Sequence, residues 1–156
     1  MTDTLQKYYL LPSGIFVEKE PHVVDTVLGS CVAVCLYDDR LKVGGINHYM
    51  LPFWNGQGLA SPKYGNIAMD KLIEKMELIG SKRTNMIAKV FGGANQMQSS
   101  LGVGQRNVMM VKDYLADARI PIVAENVGGE IGRKIRFNTN NGQVLMKFLQ
   151  KQTHDS

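Results

Sequence analysis

The chain has 156 residues, 44% of them hydrophobic and 21% charged, and a net charge of +4 at neutral pH. That is enough chain for one domain with its own core, and the balance is globular, which argues against a disordered protein. No apolar run approaches the roughly 20 residues of a membrane span, and Met1 to Lys7 has no signal-peptide core, so a soluble, cytoplasmic protein without membrane insertion is expected.

The basic residues are scattered, and the one short cluster, Arg133-Lys134-Ile135-Arg136, alternates like an exposed strand face. No nucleic-acid motif accompanies them, and a nucleic-acid partner is not expected. The two cysteines, Cys31 and Cys35, fall within one apolar run. On a single strand their Cα atoms stand about 13 Å apart, too far for a disulfide and poorly placed to share a metal ion. The chain also lacks HExxH, a Walker lysine motif and a complete dinucleotide fingerprint. No metal or cofactor is expected.

In chain order, Tyr8 to Glu18 reads as strand, turn, strand around Pro12-Ser13-Gly14. His22 to Leu28 reads as a strand, Gly29-Ser30 breaks it, and Cys31 to Tyr37 resumes as a strand apolar on both faces, hence buried and central. Val43 to Leu51 is the next strand and stops at Pro52. A loop follows from Phe53 to Pro62, with Gly56, Gly58 and the only tryptophan, Trp54. Ala68, Leu72, Met76 and Ile79 form one helical face, so a helix is expected from about Ser61 to Ile79 with Gly80 as its stop. Met86 to Phe91 reads as a strand ending at Gly92-Gly93. Val108, Val111, Leu115 and Ala118 mark a second helix over about Gly104 to Ala118. Ile120 to Val127 is a strand, and Lys134 to Thr139, Asn140-Asn141-Gly142 and Gln143 to Leu149 read as a hairpin. The tail from Lys151, with His154, is expected to fray. The sum is an α+β domain, a layered sandwich with a mixed or antiparallel sheet core and two main helices outside it. It is expected to occupy 1–156, with an ordered core over about 8–150.

Cys31 is the candidate nucleophile. Small residues before a strand let a backbone approach a ligand, and a thiol there has access and neighbouring N–H donors. The alternative is a small buried hydrophobe, the reading that suits Cys35. His48 is the candidate base, on the strand after that of Cys31, and a Cys–His contact depends on register. A hydrogen-bonded core histidine is the alternative. Asp25 and Thr26, six and five positions before Cys31, can each supply a third polar group.

Thr26-Val27-Leu28-Gly29-Ser30-Cys31-Val32-Ala33-Val34-Cys35-Leu36-Tyr37-Asp38 and Gly45-Ile46-Asn47-His48-Tyr49-Met50-Leu51-Pro52 resemble the CheD family of chemoreceptor glutamine deamidases. So do Phe91-Gly92-Gly93-Ala94, Gly104-Gln105-Arg106-Asn107 and Gly128-Gly129-Glu130-Ile131-Gly132-Arg133-Lys134-Ile135. The resemblance implies a cysteine hydrolase acting on glutamine side chains of methyl-accepting chemotaxis receptors, with the layered fold of a deamidating toxin domain. It implies Cys31 as nucleophile and His48 as base. The family's third residue is a threonine shortly before the cysteine. Its usual spacing falls on Asp25, while the chemical type favours Thr26, one step closer. A receptor glutamine on a helical bundle asks for an open groove, for which the loops around Gly56 and Gly92 are candidate walls. The resemblance also allows a different role, a binding regulator of a CheC-type phosphatase. A monomer is expected.

Overall fold

The structure is a computed structural model and describes residues 5–95 and 102–150. The tail that includes His154 lies outside the described residues. Among the described residues, nine strands and two long helices are arranged in three layers. The strands are β1 (Gln6–Tyr9), β2 (Ile15–Glu18), β3 (His22–Leu28), β4 (Val32–Asp38), β5 (Val43–Asn47), β6 (Met86–Gly92), β7 (Ile122–Val127), β8 (Arg133–Asn138) and β9 (Val144–Phe148), with helices α1 (Gly65–Leu78) and α2 (Val103–Ala118).

The expected sheet core is two sheets, not one. A four-stranded sheet runs β1-β3-β8-β9, and a five-stranded sheet runs β2-β5-β4-β6-β7. Both are mixed, because β1 pairs parallel with β3 and β6 parallel with β7. The reason lies in β4, where every residue is buried. Val32, Val34 and Leu36 pack against Leu72, Met76, Val111 and Leu115 of the helices. Ala33 and Cys35 face the other way, against Val24, Leu28, Ile135 and Phe137 of the four-stranded sheet. A strand apolar on both faces needs a cover on each side. Full burial of each aliphatic side chain contributes about 1.5–3 kcal/mol.

Four short connections cross between the sheets, and two of them build the candidate site. The Pro12-Ser13-Gly14 turn is not a hairpin turn: it carries the chain from β1 in one sheet to β2 in the other. Gly29-Ser30-Cys31 likewise carries β3 into β4. These crossings bring the candidate residues together.

The helices follow their apolar faces. α1 begins at Gly65, four residues later than the expected Ser61, after Tyr64 as an uncapped N-cap. β8 and β9 pair antiparallel, as the Asn-Gly signal requires. In their loop Asn138 Oδ1 accepts from the N–H groups of Asn140 and Asn141, and Gly142 takes φ +79°. The basic cluster of β8 departs from expectation. Lys134 and Arg136 face outward, but Arg133 is buried. Its guanidinium donates to Asn126 Oδ1 (2.7 Å), the Gly92 carbonyl (3.1 Å) and the Gly128 carbonyl (2.6 Å), and it lies 5.3 Å over the Phe148 ring. Arg133 thus ties the two glycine-rich turns together, a use of charge that strand alternation cannot reveal.

Candidate active site

Thr26 is inward-facing on β3 and wholly buried, and His48, just past β5, is 2% exposed. Their side chains meet: Thr26 Oγ1 lies 2.8 Å from His48 Nδ1. The same hydroxyl donates to the Leu10 carbonyl at 2.7 Å. A carbonyl only accepts, so the single hydroxyl proton goes to Leu10 and Thr26 Oγ1 must accept from His48. Nδ1 therefore carries the ring proton and Nε2 keeps its lone pair. Nε2 is buried and has no hydrogen-bond partner among the described residues. The structure thus holds the histidine in the tautomer of a base.

The backbone of His48 is fixed by the sheet-crossing turn. Ser13 N–H donates to the His48 carbonyl at 2.7 Å, and His48 N–H to the Gly14 carbonyl at 3.2 Å. One segment, Leu10 to Gly14, holds both Thr26 and His48.

Cys31 is half-buried with a free thiol. Val32 and Tyr49 exchange both backbone hydrogen bonds, at 3.1 and 3.0 Å. Continuing that antiparallel register sets Ala33 opposite His48 and makes Cys31 its diagonal neighbour. Cys31 packs against the cluster that holds Ala33 and Cys35, so thiol and imidazole share the face between the sheets. Such diagonal neighbours stand about 7–8 Å apart at the backbone, within reach of a ring side chain. The thiol does not hydrogen-bond Nε2 in this state, and catalytic contacts often tighten only with substrate present.

The loop of Cys31 is pinned through its carbonyls. Gly29 O accepts from Ala94 N–H (2.9 Å), Cys31 O from Gly93 N–H (2.8 Å) and Ser30 O from Asn107 Nδ2 (3.0 Å). Gly92 has to be glycine: its φ is +110°, and a Cβ there would stand 2.2 Å from the Cys31 carbonyl oxygen. Asn107, fully buried on α2, also donates to the Met50 carbonyl at 3.0 Å, so one amide holds the segments on both sides of the site. The backbone carbonyl of Asn107 accepts from Tyr49 Oη at 2.6 Å. Asn107 lies within a sequence motif that assigns it no role, and Leu10 lies in none. A lone buried Asn on an apolar helix face was the signal available for the first. A backbone acceptor leaves none.

Asp25 does not join the site. It is opposite Arg136 on the outer face of its sheet and accepts both guanidinium hydrogen bonds, at 2.8 and 2.9 Å, which hold its carboxyl below the usual range. Cys35 is enclosed in the core, and burial pushes its thiol far up. His22, at the start of β3, bonds the Glu20 carbonyl. Trp54 donates to Gln57 within its own loop. The Gly92 turn borders an open depression of about 290 Å³, shared with Gln105, Val108, Met109 and Lys112.

Burial acts on both candidate groups in the direction of neutrality. It raises the Cys31 thiol and lowers His48 to about 4. His48 is therefore a neutral imidazole at pH 7. The unfolded chain binds this proton more readily than the folded one between about pH 6.5 and 4. Stability is expected to be insensitive to this group above pH 6.5 and to fall by about 3 kcal/mol as pH drops to 4, at about 1.4 kcal/mol per pH unit. Urea unfolding of wild type and His48→Gln at pH 7 and 4.5 checks this. A loss between the two pH values as large in the variant as in wild type would refute it.

The family described as CheD chemotactic sensory transduction matches residues 50–148. A protein of Sulfurimonas denitrificans named "probable chemoreceptor glutamine deamidase CheD" is 51% identical over 150 residues, 94% of this chain and 96% of its own. The chain belongs to the CheD family. A Trichlorobacter lovleyi protein of the same name is 49% identical over 91% of this chain and 90% of its own, and one from Hahella chejuensis is 36% identical over 94% and 72%. The family match begins two residues after His48, so the likeness over the candidate site rests on these relatives. Among the described residues of this CheD chain, no helix is long and apolar enough to cross a membrane.

Proposed function

We propose that this CheD chain hydrolyses the side-chain amide of chemoreceptor glutamines, giving glutamate and ammonia, with Cys31 as nucleophile, His48 as base and Thr26 as its orienting partner. The observation that carries the reading is the chain of bonds from Leu10 through Thr26 to His48, which leaves Nε2 as a free base on the face shared with Cys31.

Because burial favours the neutral forms of both groups, the thiol gives up its proton as it attacks, and no thiolate–imidazolium pair need exist beforehand. Cys31 Sγ bonds to the carboxamide carbon while its proton passes to His48 Nε2. The oxyanion is held by N–H groups of the Ser30–Cys31 turn, whose carbonyls are already engaged. Collapse of the adduct breaks the C–N bond, and His48 returns the proton to the departing ammonia. Water then attacks the thioester, delivers its proton to His48, and releases glutamate as the proton goes back to sulfur. A neutral amide becomes a charged carboxylate on the receptor, a change able to bias a signalling equilibrium.

The layered sheets and helices fit the fold of toxin-type deamidating cysteine hydrolases, and the chain acts as one monomeric unit over 1–156. Docking of a CheC-type phosphatase is a second use of the same surface that does not need the thiol. The Gly92 turn and the loop around Gly56, which exposes Phe53 and Leu59, are the groove walls we assign. The deciding experiment incubates the protein with a glutamine-bearing receptor fragment and follows ammonia together with the mass change of amide to acid. Matched appearance of both is expected, and absence of both across several receptors would remove the reading.

A further inference from the structure

Among the described residues the helices cover only one face of the five-stranded sheet, and none covers the outer face of the four-stranded sheet. Its outward positions follow from register. Lys7 is opposite Val23, Tyr9 opposite Asp25, Asp25 opposite Arg136, Val27 opposite Lys134, and Lys134 opposite Lys147. Four cations thus stand on this face with one carboxylate, Asp25, which Arg136 and Lys134 already engage at 2.8 and 3.9 Å. Their surplus of three positive charges compares with +4 for the whole chain. No other acidic residue occurs in the described residues of these four strands. Lys134 and Lys147 are directly opposed across the β8–β9 pair, an arrangement that costs stability in a free protein. They line a shallow cleft of about 250 Å³ with Arg136 and Leu145, and Tyr9, Val27 and Leu145 add exposed apolar contact among the charges.

We infer that this face is an electrostatic docking surface for an acidic protein surface, that of the chemoreceptor substrate, with Lys134 and Lys147 at its centre. The inference rests on the deamidase reading and names a surface that the reaction itself does not use. Each turnover adds a carboxylate to the substrate, so a cationic face binds receptor more tightly as deamidation proceeds. Val27, opposite Lys134, lies four residues before Cys31 in sequence, at the end of the strand that leads into the crossing turn. Attraction of this kind raises the encounter rate and fades with salt.

The test is direct binding, independent of turnover. A soluble receptor fragment with glutamate at its deamidation positions is titrated, at low and high salt, with the wild type, with Lys134→Glu/Lys147→Glu, and with Lys71→Glu/Lys75→Glu on the exposed face of α1. Circular dichroism verifies the folds. The β8–β9 reversal is expected to weaken binding about tenfold or more at low salt and to flatten its salt dependence, while the equal charge change on α1 leaves it near wild type. Equal losses in both variants would show net charge at work and overturn the proposal. So would unchanged binding in the β8–β9 variant, or wild-type capture by phosphatidylserine vesicles but not by the fragment. Binding of this fragment, with no ammonia released from the same fragment carrying glutamine at those positions, would sink the deamidase reading and leave the docking face standing.

Discussion

Cys31→Ala is expected to reduce ammonia release from receptor glutamines by on the order of 10⁴-fold or more, the scale on which removal of a nucleophile acts. The expectation rests on three features. The thiol is half-buried, not enclosed, so substrate can reach it. Its loop is held through the carbonyls of Gly29, Ser30 and Cys31, so its position is fixed before substrate arrives. It shares a face with the unpartnered Nε2 of His48. Cys35→Ala is the control: that side chain is deep in the core and its loss leaves a small cavity, so stability falls modestly while turnover survives. Parallel assays of ammonia and receptor mass on both variants read the contrast. Retained turnover in Cys31→Ala would remove the thiol mechanism.

Thr26→Val is expected to lower kcat by about 10²–10⁴ with little change in KM. Valine fills nearly the same space, so packing between the sheets survives. Two partners are lost. The Leu10 carbonyl loses its donor and His48 Nδ1–H its acceptor, and each unsatisfied buried group costs about 1–3 kcal/mol. The tautomer is also released. A ring protonated at Nε2 cannot take the thiol proton, so part of the enzyme is held in an inactive form. Thr26→Ser keeps the hydroxyl and should retain most of kcat, which separates the hydrogen bond from the methyl group. Asp25→Asn, on the opposite face, should leave kcat close to wild type. A Thr26→Val enzyme with normal kcat, or an Asp25→Asn enzyme with the Thr26→Val defect, would reassign the third residue.

The local elements, the central buried strand, the candidate pair Cys31 and His48, and the family were legible in the residues themselves. They are encoded by short-range patterns: apolar alternation, helical spacing, and small residues before a cysteine. The choice between Thr26 and Asp25 was not. Adjacent residues on a strand face opposite ways, and which way each faces depends on the layer the strand packs against. Only the pairing of β3 with β8, and the stacking of their sheet on β4 and β5, turned Thr26 toward His48 and Asp25 toward Arg136. The same holds for Arg133, whose partners come from two turns 41 and 5 residues away in sequence, and for Asn107, whose amide joins segments 77 and 57 residues distant. Sequence by itself determined which groups could do the chemistry, because side-chain type and local spacing are one-dimensional. The tertiary structure decided which of them meet, because two chain crossings between stacked sheets bring Leu10, Thr26, Cys31 and His48 to one place, and no local pattern records where a strand changes sheets.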